Sequence, residues 1–430
     1  MGSTGPDVAT RTGPRGPGVA AAAGGALLIG GILAVSFNMR AAITSLPPVY
    51  PELSSATGWS TATEAALAAV PVLSFAVFAG TAPLLARKLG EERVLGLALV
   101  LLVAGLGLRS AAPGVLLFPG TVLASCAIAL VNVLLPGLIK RRRPDLAGLL
   151  IGLYLMTLTA GAVLGAAIAV PVFAAAGGSA SGGSGLAVRV TLGMWALPAL
   201  AAMLVWLPQL RFRTVPVPAE GRGVLAMGRF ALAWQVMAFM GLQSLSYYAT
   251  LAWFPTMFRD HGIGAAAAGN LLALMNVGNM VTGLIVPVLA HRLRDQRVLA
   301  AAAVVLIVAG LAGCAFGPNT TIVFFVALLG LGQGGAFSLS VYLFAARAAD
   351  SHTAAALSGF AQGAGYLLAS AGPLLIGLLH SATGSWTIPA VVLLGVSGGQ
   401  LTFGLLAGRA KTIGATGMEN TQPAQPHPVR

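Results

Sequence analysis

The sequence predicts an all-α membrane protein of twelve transmembrane helices arranged in two six-helix halves. Three observations predict it. Of 430 residues, 57% are hydrophobic and 8% charged, about a third of the charged share of a soluble domain, so there is no polar skin for a soluble fold. The mean hydropathy is +0.89, and apolar runs of about 20 residues, enough to cross ~30 Å of hydrocarbon, recur along the chain. The 57 glycines suit helices that approach closely in lipid.

Residues 1–20, rich in Gly, Pro, Thr and Arg, read as a disordered tail and not as a signal peptide. The first span, 24–50, contains Asn38 and Arg40; the second, 64–86, ends in the basic loop 87–93. The third, 94–112, is apolar through its middle. The fourth, 115–139, carries Ser125 and Asn132 at helical spacing and closes on Lys140–Arg143. The fifth, 147–174, offers Tyr154, Thr157 and Gly161; the sixth, 188–207, is again apolar. A polar linker, 208–229, separates residues 21–207 from residues 230–408. The seventh span, 231–257, has Gln243, Ser246, Tyr247 and Thr250 on one face; the eighth, 265–290, has Asn276 and Asn279. The ninth, 298–317, is apolar; the tenth, 320–344, brings Gln333, Phe337 and Ser340. The eleventh, 354–380, brings Gln362, Tyr366 and Ser370, and the twelfth, 386–408, leads to a polar, Pro-rich tail, 409–430. Pro136, Pro255 and Pro373 are expected to loosen their helices. Gly161/Gly165 and Gly359/Gly363 read as close packing.

The net charge of +13 is a topology signal, not a nucleic-acid footprint. Every Lys and Arg except Arg40, Arg109, Arg189 and Arg259 falls in the tails or the even-to-odd loops, which predicts both termini in the cytoplasm. Arg109, Arg189 and Arg259 read as outer-end charges. Cys126 and Cys314 sit in apolar runs and read as packing residues. The residues form no metal-spaced set, no phosphate-cradling loop and no nucleophile-base pair, so neither an enzyme nor a cofactor is expected.

An internal repeat sets the architecture. Residues 83–95 lie over 287–299 with seven identities and no gap, and the same shift places Arg143 on Arg347. Two parallel six-helix repeats follow.

Several motifs carry a resemblance. They are Asn38-Met39-Arg40-Ala41-Ala42-Ile43-Thr44-Ser45, the run from Asn132 through Pro136-Gly137 to Arg142, and Gly241-Leu242-Gln243-Ser244 running to Tyr248. Further on come Leu357-Ser358-Gly359-Phe360-Ala361-Gln362 through Gly365-Tyr366 to Gly372-Pro373, and Thr383-Gly384-Ser385-Trp386. Over about residues 25–408 the chain resembles the cyanate permease / nitroimidazole transporter family of the major facilitator superfamily. The resemblance implies a secondary transporter of the cytoplasmic membrane with a small-molecule substrate and a possible coupling proton or ion. In the loop after the second span that superfamily has the form Gly-x-Leu-Ala-Asp-Arg-x-Gly-Arg-Arg. Here Arg87 stands at the aspartate position and Glu91 and Glu92 at the basic pair, an inverted pattern.

Arg40 is the most informative residue. An arginine deep in a span is costly and faces a cavity or a partner; one near the outer end snorkels. Both placements fit its sequence position. Asn38, two residues away, points to nearly the opposite face. No Asp or Glu falls in the middle of a span, which favours an anionic or neutral substrate over a cation. Candidate substrate-binding residues are Arg40, Asn132, Tyr154, Gln243, Tyr247, Tyr248, Asn276, Gln333, Gln362 and Tyr366. Candidate gating residues are Arg87, Glu91, Glu92, Arg142 and Arg143, the acidic pair facing the arginines as an exposed and therefore weak contact. The reading is a monomeric carrier of a small polar solute, an anion of the cyanate type, held in lipid and binding no nucleic acid. Its rivals are an exporter of neutral heteroaromatics and a non-transporting membrane receptor or scaffold.

Overall fold

The computed structural model describes residues 19–78, 81–178, 185–215, 224–414 and 419–420. Its helices follow the apolar runs. The first span is α1 (Val19–Thr44), one 3₁₀ turn (Pro47–Val49) and α2 (Tyr50–Thr57). The single helix expected over 24–50 is broken because Pro47 and Pro48 donate no N–H and clash with the preceding turn. The second span is shorter than expected: α3 (Thr61–Phe78), then a separate helix α4 (Ala82–Leu89). α5 (Glu91–Ala111), α6 (Pro113–Arg142) and α7 (Ala147–Ala175) follow, and the sixth span is divided into α8 (Gly185–Gly193) and α9 (Ala196–Trp206). The second half is α10 (Ala231–Asp260), α11 (Ala265–Arg292), α12 (Arg297–Phe316), α13 (Ile322–Ala346), α14 (Ser351–Thr383) and α15 (Thr387–Ala407). α6, α10 and α14 run through Pro136, Pro255 and Pro373 without ending.

Among the described residues, 11 segments are long and apolar enough to cross a membrane. α10 stands apart from them. Its 30 residues reach about 45 Å, but its middle carries Gln243, Ser244, Ser246, Tyr247, Tyr248 and Thr250, all buried. It faces other helices more than lipid, so its low hydropathy reflects its central place.

The two halves pack by one plan. α1 lies on α7 and α9, α3 on α6, and α5 on α6 and α9; α10 lies on α14 and α15, α11 on α13, and α12 on α13 and α15. These are the same pairs under the sequence repeat. The halves meet through α3 with α14 and α7 with α11. Gly161 and Gly165 let α7 touch α1, since a Cβ on either would strike the backbone carbonyl of Phe37 or Ala41. Gly363 has open space where its side chain would be, so close packing, expected from its sequence, does not account for it.

α1 begins and α15 ends on one side of the bundle, the tail side; the other is the far side. The tail-side connections are docked. The backbone N–H of Glu91 donates to Thr214 O (2.8 Å), fixing the first part of the linker on the first half. The 3₁₀ segment Val224–Arg229 lies on α14, with Trp234 donating its indole N–H to Gly228 O at 2.9 Å. After α15, Ile413 is buried; its N–H donates to Arg347 O (2.9 Å) and its carbonyl accepts from Ala349 N–H (3.1 Å). Residues 412–414 are therefore attached and not loose as expected. Most of the N-terminal tail (1–18), the middle of the linker (216–223) and residues 415–418 and 421–430 lie outside the described residues.

Candidate functional site

Arg40 sits at the midpoint of the 30-residue membrane segment Ala26–Ser55, and it is partly buried. The deep placement holds, because the chain continues past Pro47 toward the far side. Nη1 of Arg40 donates to the Tyr247 hydroxyl (2.7 Å), and its guanidinium lies 5.4 Å from that ring's centroid. Tyr247, near the middle of α10, donates in turn to Oδ1 of Asn276 on α11 (3.0 Å). The Asn276 amide is oriented by its own bond to Leu272 O (2.9 Å). One polar chain thus runs from the first half through two helices of the second.

A second polar cluster joins α10 to α13. Nε2 of Gln243 donates to the Gln333 carbonyl and to its Oε1 (both 3.2 Å), and Nε2 of Gln333 donates to Ser246 Oγ (3.1 Å). Gln333 is 0% exposed. Its burial without loss of stability requires these partners.

Both clusters border a cavity of about 280 Å³. Tyr248 and Tyr366 supply an aromatic wall: Tyr248 stands edge-on to Tyr247 (5.2 Å), and Phe75 packs edge-on against Tyr366 (5.8 Å). From there the cavity follows α7, α11 and α13 to Met156, Pro287 and Tyr342, on the way to the tail side. Among the described residues of its wall, Arg40 is the one charged side chain, and no carboxylate is present.

Seven of the ten residues selected from sequence line this wall: Arg40, Gln243, Tyr247, Tyr248, Asn276, Gln333 and Tyr366. Three lie outside it. Tyr154 donates to Oδ1 of Asn132 (3.3 Å), tying α7 to α6, and Gln362 bonds Ser358 one turn back on α14 (2.8 Å). Tyr342 and Thr159 line the cavity and were not selected. Tyr342 follows Gly334 and Ser338, which also line the cavity, at a spacing of four, and that periodicity is the signal for it.

The two ends of the bundle differ. At the far side Glu52 of α2 accepts from Arg259 of α10 at 2.8 and 2.9 Å, an ion pair between the halves. Nearby, the Trp386 indole N–H donates to Asp260 (2.8 Å), and His380 stacks on that ring (3.8 Å). At the tail side Arg141 pairs with Glu91, and Arg142 with Glu92 (2.9 Å). Glu91 and Glu92 are buried, unlike the exposed pair expected. Both contacts join α5 to α6 inside one half. Glu92 also accepts from Thr214 through N–H (2.7 Å) and hydroxyl (2.5 Å), and the Arg142 guanidinium covers Phe212 at 4.1 Å. Gly90, at φ 90°, lets the chain turn so that both acids enter at the α5 N-terminus, where the helix favours negative charge. Arg143 instead pairs with exposed Asp145 (3.0 Å), whose carboxyl that bond holds below the usual carboxylate range. Arg87 is exposed on α4. The cavity is therefore shut at the far side by contacts between the halves.

Arg109 lies in the last turn of α5 at the far side, as expected, but points inward: it is 1% exposed and donates to Ala42 O (2.8 Å) and Leu192 O (3.2 and 3.3 Å). The last carbonyls of α1 have no partner within the helix, and Arg109 supplies one.

Comparison with known proteins agrees with this fold. Residues 27–373 and 236–417 match the family described as Major Facilitator Superfamily. The chain is 39% identical to the 2-nitroimidazole transporter of Escherichia coli over 90% of its own length and 96% of that protein's. It is 30% identical to the cyanate transport protein CynX of Escherichia coli, covering 85% and 94% respectively. The D-xylose-proton symporter structure superposes with a TM-score of 0.68 at 16% identity, over 89% of this chain and 95% of that one.

Proposed function

The chain belongs to the major facilitator superfamily, and from that premise we propose that it carries a small polar monoanion across the cytoplasmic membrane by alternating access. The observation that carries the reading is the wall itself: one guanidinium, no carboxylate, and neutral hydrogen-bonding groups around it. An unpaired cation in a low-dielectric cavity favours an anionic occupant that restores the counter-charge. The Tyr247 hydroxyl accepts from that guanidinium as a neutral partner. Gln243, Asn276 and Gln333 then orient the rest of the solute, and Tyr248 and Tyr366 bound its shape. The basic loops support a cytoplasmic tail side.

A second reading, export of a neutral heteroaromatic, is favoured by the higher identity to the 2-nitroimidazole transporter and by the aromatic wall. Uptake into proteoliposomes of cyanate and of 2-nitroimidazole separates the two. Under the anion reading Arg40→Gln abolishes cyanate transport, and Arg40→Lys retains part of it because the charge stays while the planar fork is lost. Gly283→Leu, whose side chain enters open cavity space, blocks either solute. Arg40→Gln transporting cyanate as well as the parent protein overturns the anion reading.

A further inference from the structure

Outside the cavity, one buried carboxylate lacks a cation. Glu64, in the first turn of α3, is 6% exposed, and its bonded partner is the Ser54 hydroxyl on α2. Among the described residues no Lys, Arg or His lies within ion-pair distance of it. Glu52, on the same helix as Ser54 and equally buried, has the guanidinium of Arg259. The other charged or titratable groups at this end of the helices around it are accounted for. Arg109 of α5 directs its donors at backbone carbonyls, and Arg189 of α8 is exposed. On α10 Asp260 takes the Trp386 indole, and on α14 His380 lies on that ring. Tyr50 of α2 is buried against Trp253. α6, which also packs on α3, carries its charges at the tail side.

Glu64 also lies between two contacts that join the halves. On one side is α2 with its Glu52–Arg259 pair. On the other, Ala65, the next residue, lies close under Gly377 of α14. Parting the halves at the far side lifts α14 away from α3 and takes Arg259 away from α2, which stays with α3 in the first half. Closing them takes water from a carboxylate and supplies no positive charge in its place, which disfavours the ionised form. The first turn of α3 favours that form once water is admitted, so the group has two states to choose between.

We propose that Glu64 is a proton-binding site that ties far-side closure to the pH on that side. It takes up one proton as the far side shuts and gives it back when that side opens. The proposal rests on the reading that the far side opens during transport. It makes acidity outside a signal that holds the carrier shut there, and a single proton fixes the steepness of the response.

The test uses the full chain in lipid nanodiscs, with Cys126→Ala and Cys314→Ala, and spin labels on Ser55→Cys and Ala382→Cys, exposed sites on α2 and α14. The open-to-closed ratio read from the label distances rises with pH above the ordinary carboxylate range, by up to about tenfold per pH unit. Glu64→Gln stays closed and loses the pH response; Glu64→Asp and His380→Gln keep it. Should Glu64→Gln fail to fold, the protein with its native Glu64 still decides: a protonated-carboxyl infrared band must vanish in step with opening, and its absence overturns the proposal. An unchanged response in Glu64→Gln, or its loss in His380→Gln, overturns it as well. Opening that is independent of pH overturns the proton site alone. A far side that stays shut at every pH and with every solute overturns the transport reading too.

Discussion

Arg40 of the first half donates to the hydroxyl of Tyr247 of the second at 2.7 Å, so the charge at the centre of the cavity is held by a phenol across the seam between halves. An arriving anion competes with that phenol. Tyr247→Phe should therefore tighten anion binding by about three- to tenfold, the worth of one net hydrogen bond of ~1 kcal/mol. Calorimetric titration of the purified variant checks it, and weaker binding would mean that the hydroxyl contacts the solute.

The Glu52–Arg259 pair spans the halves with its acid buried and its guanidinium partly wet. Its loss should favour far-side opening by about 1–2 kcal/mol, between an exposed pair and a buried one, or roughly five- to thirtyfold. Label distances in Arg259→Ala, Glu52→Gln and the double variant form the measurement. Non-additive effects identify the pair as the strut; additive ones show two independent contacts.

Arg109 should matter for stability and little for solute choice. Arg109→Met removes the guanidinium donors of Ala42 O and Leu192 O, at a cost of about 1–3 kcal/mol. Arg109→Lys should rescue little, since one ammonium cannot reach two carbonyls with the reach and fork of a guanidinium. Thermal unfolding in detergent reads both, with solute affinity as the control.

The distribution of basic residues gives a topology that labelling can check. With the native cysteines replaced, Ser60→Cys should react with an impermeant maleimide added outside intact cells, and Lys88→Cys should not. Reversed labelling would invert the assignment of tail side to cytoplasm.

The spans were legible because twenty apolar residues between charged loops admit few other structures in lipid. The Gln243–Tyr247 and Gln333–Phe337 faces were legible for the same reason, since helical spacing gathers them whatever the tertiary fold. The depth of Arg40 was not, because nothing local says whether a chain beyond two prolines turns back or continues outward. Nor was the burial of Glu91 and Glu92, which depends on Gly90 turning the chain and on Thr214, more than a hundred residues away, closing over the acids. The burial of Arg109 was not legible either, because an arginine in the last turn of a span usually reaches for water. Here the end of α1 had already placed open carbonyls within its reach.

The docking of the linker at both ends has a mechanical consequence. Val215 follows the Thr214 clamp on Glu92, and Val224 begins the segment seated on α14. The covalent tether between the halves is then only the stretch 216–223, whose contour length is at most about 30 Å. However far the two bodies swing, their tail-side rims stay on a leash of that length. Releasing the Glu92 end would lengthen the leash, and inserting residues into it would do so without touching a single contact in either half.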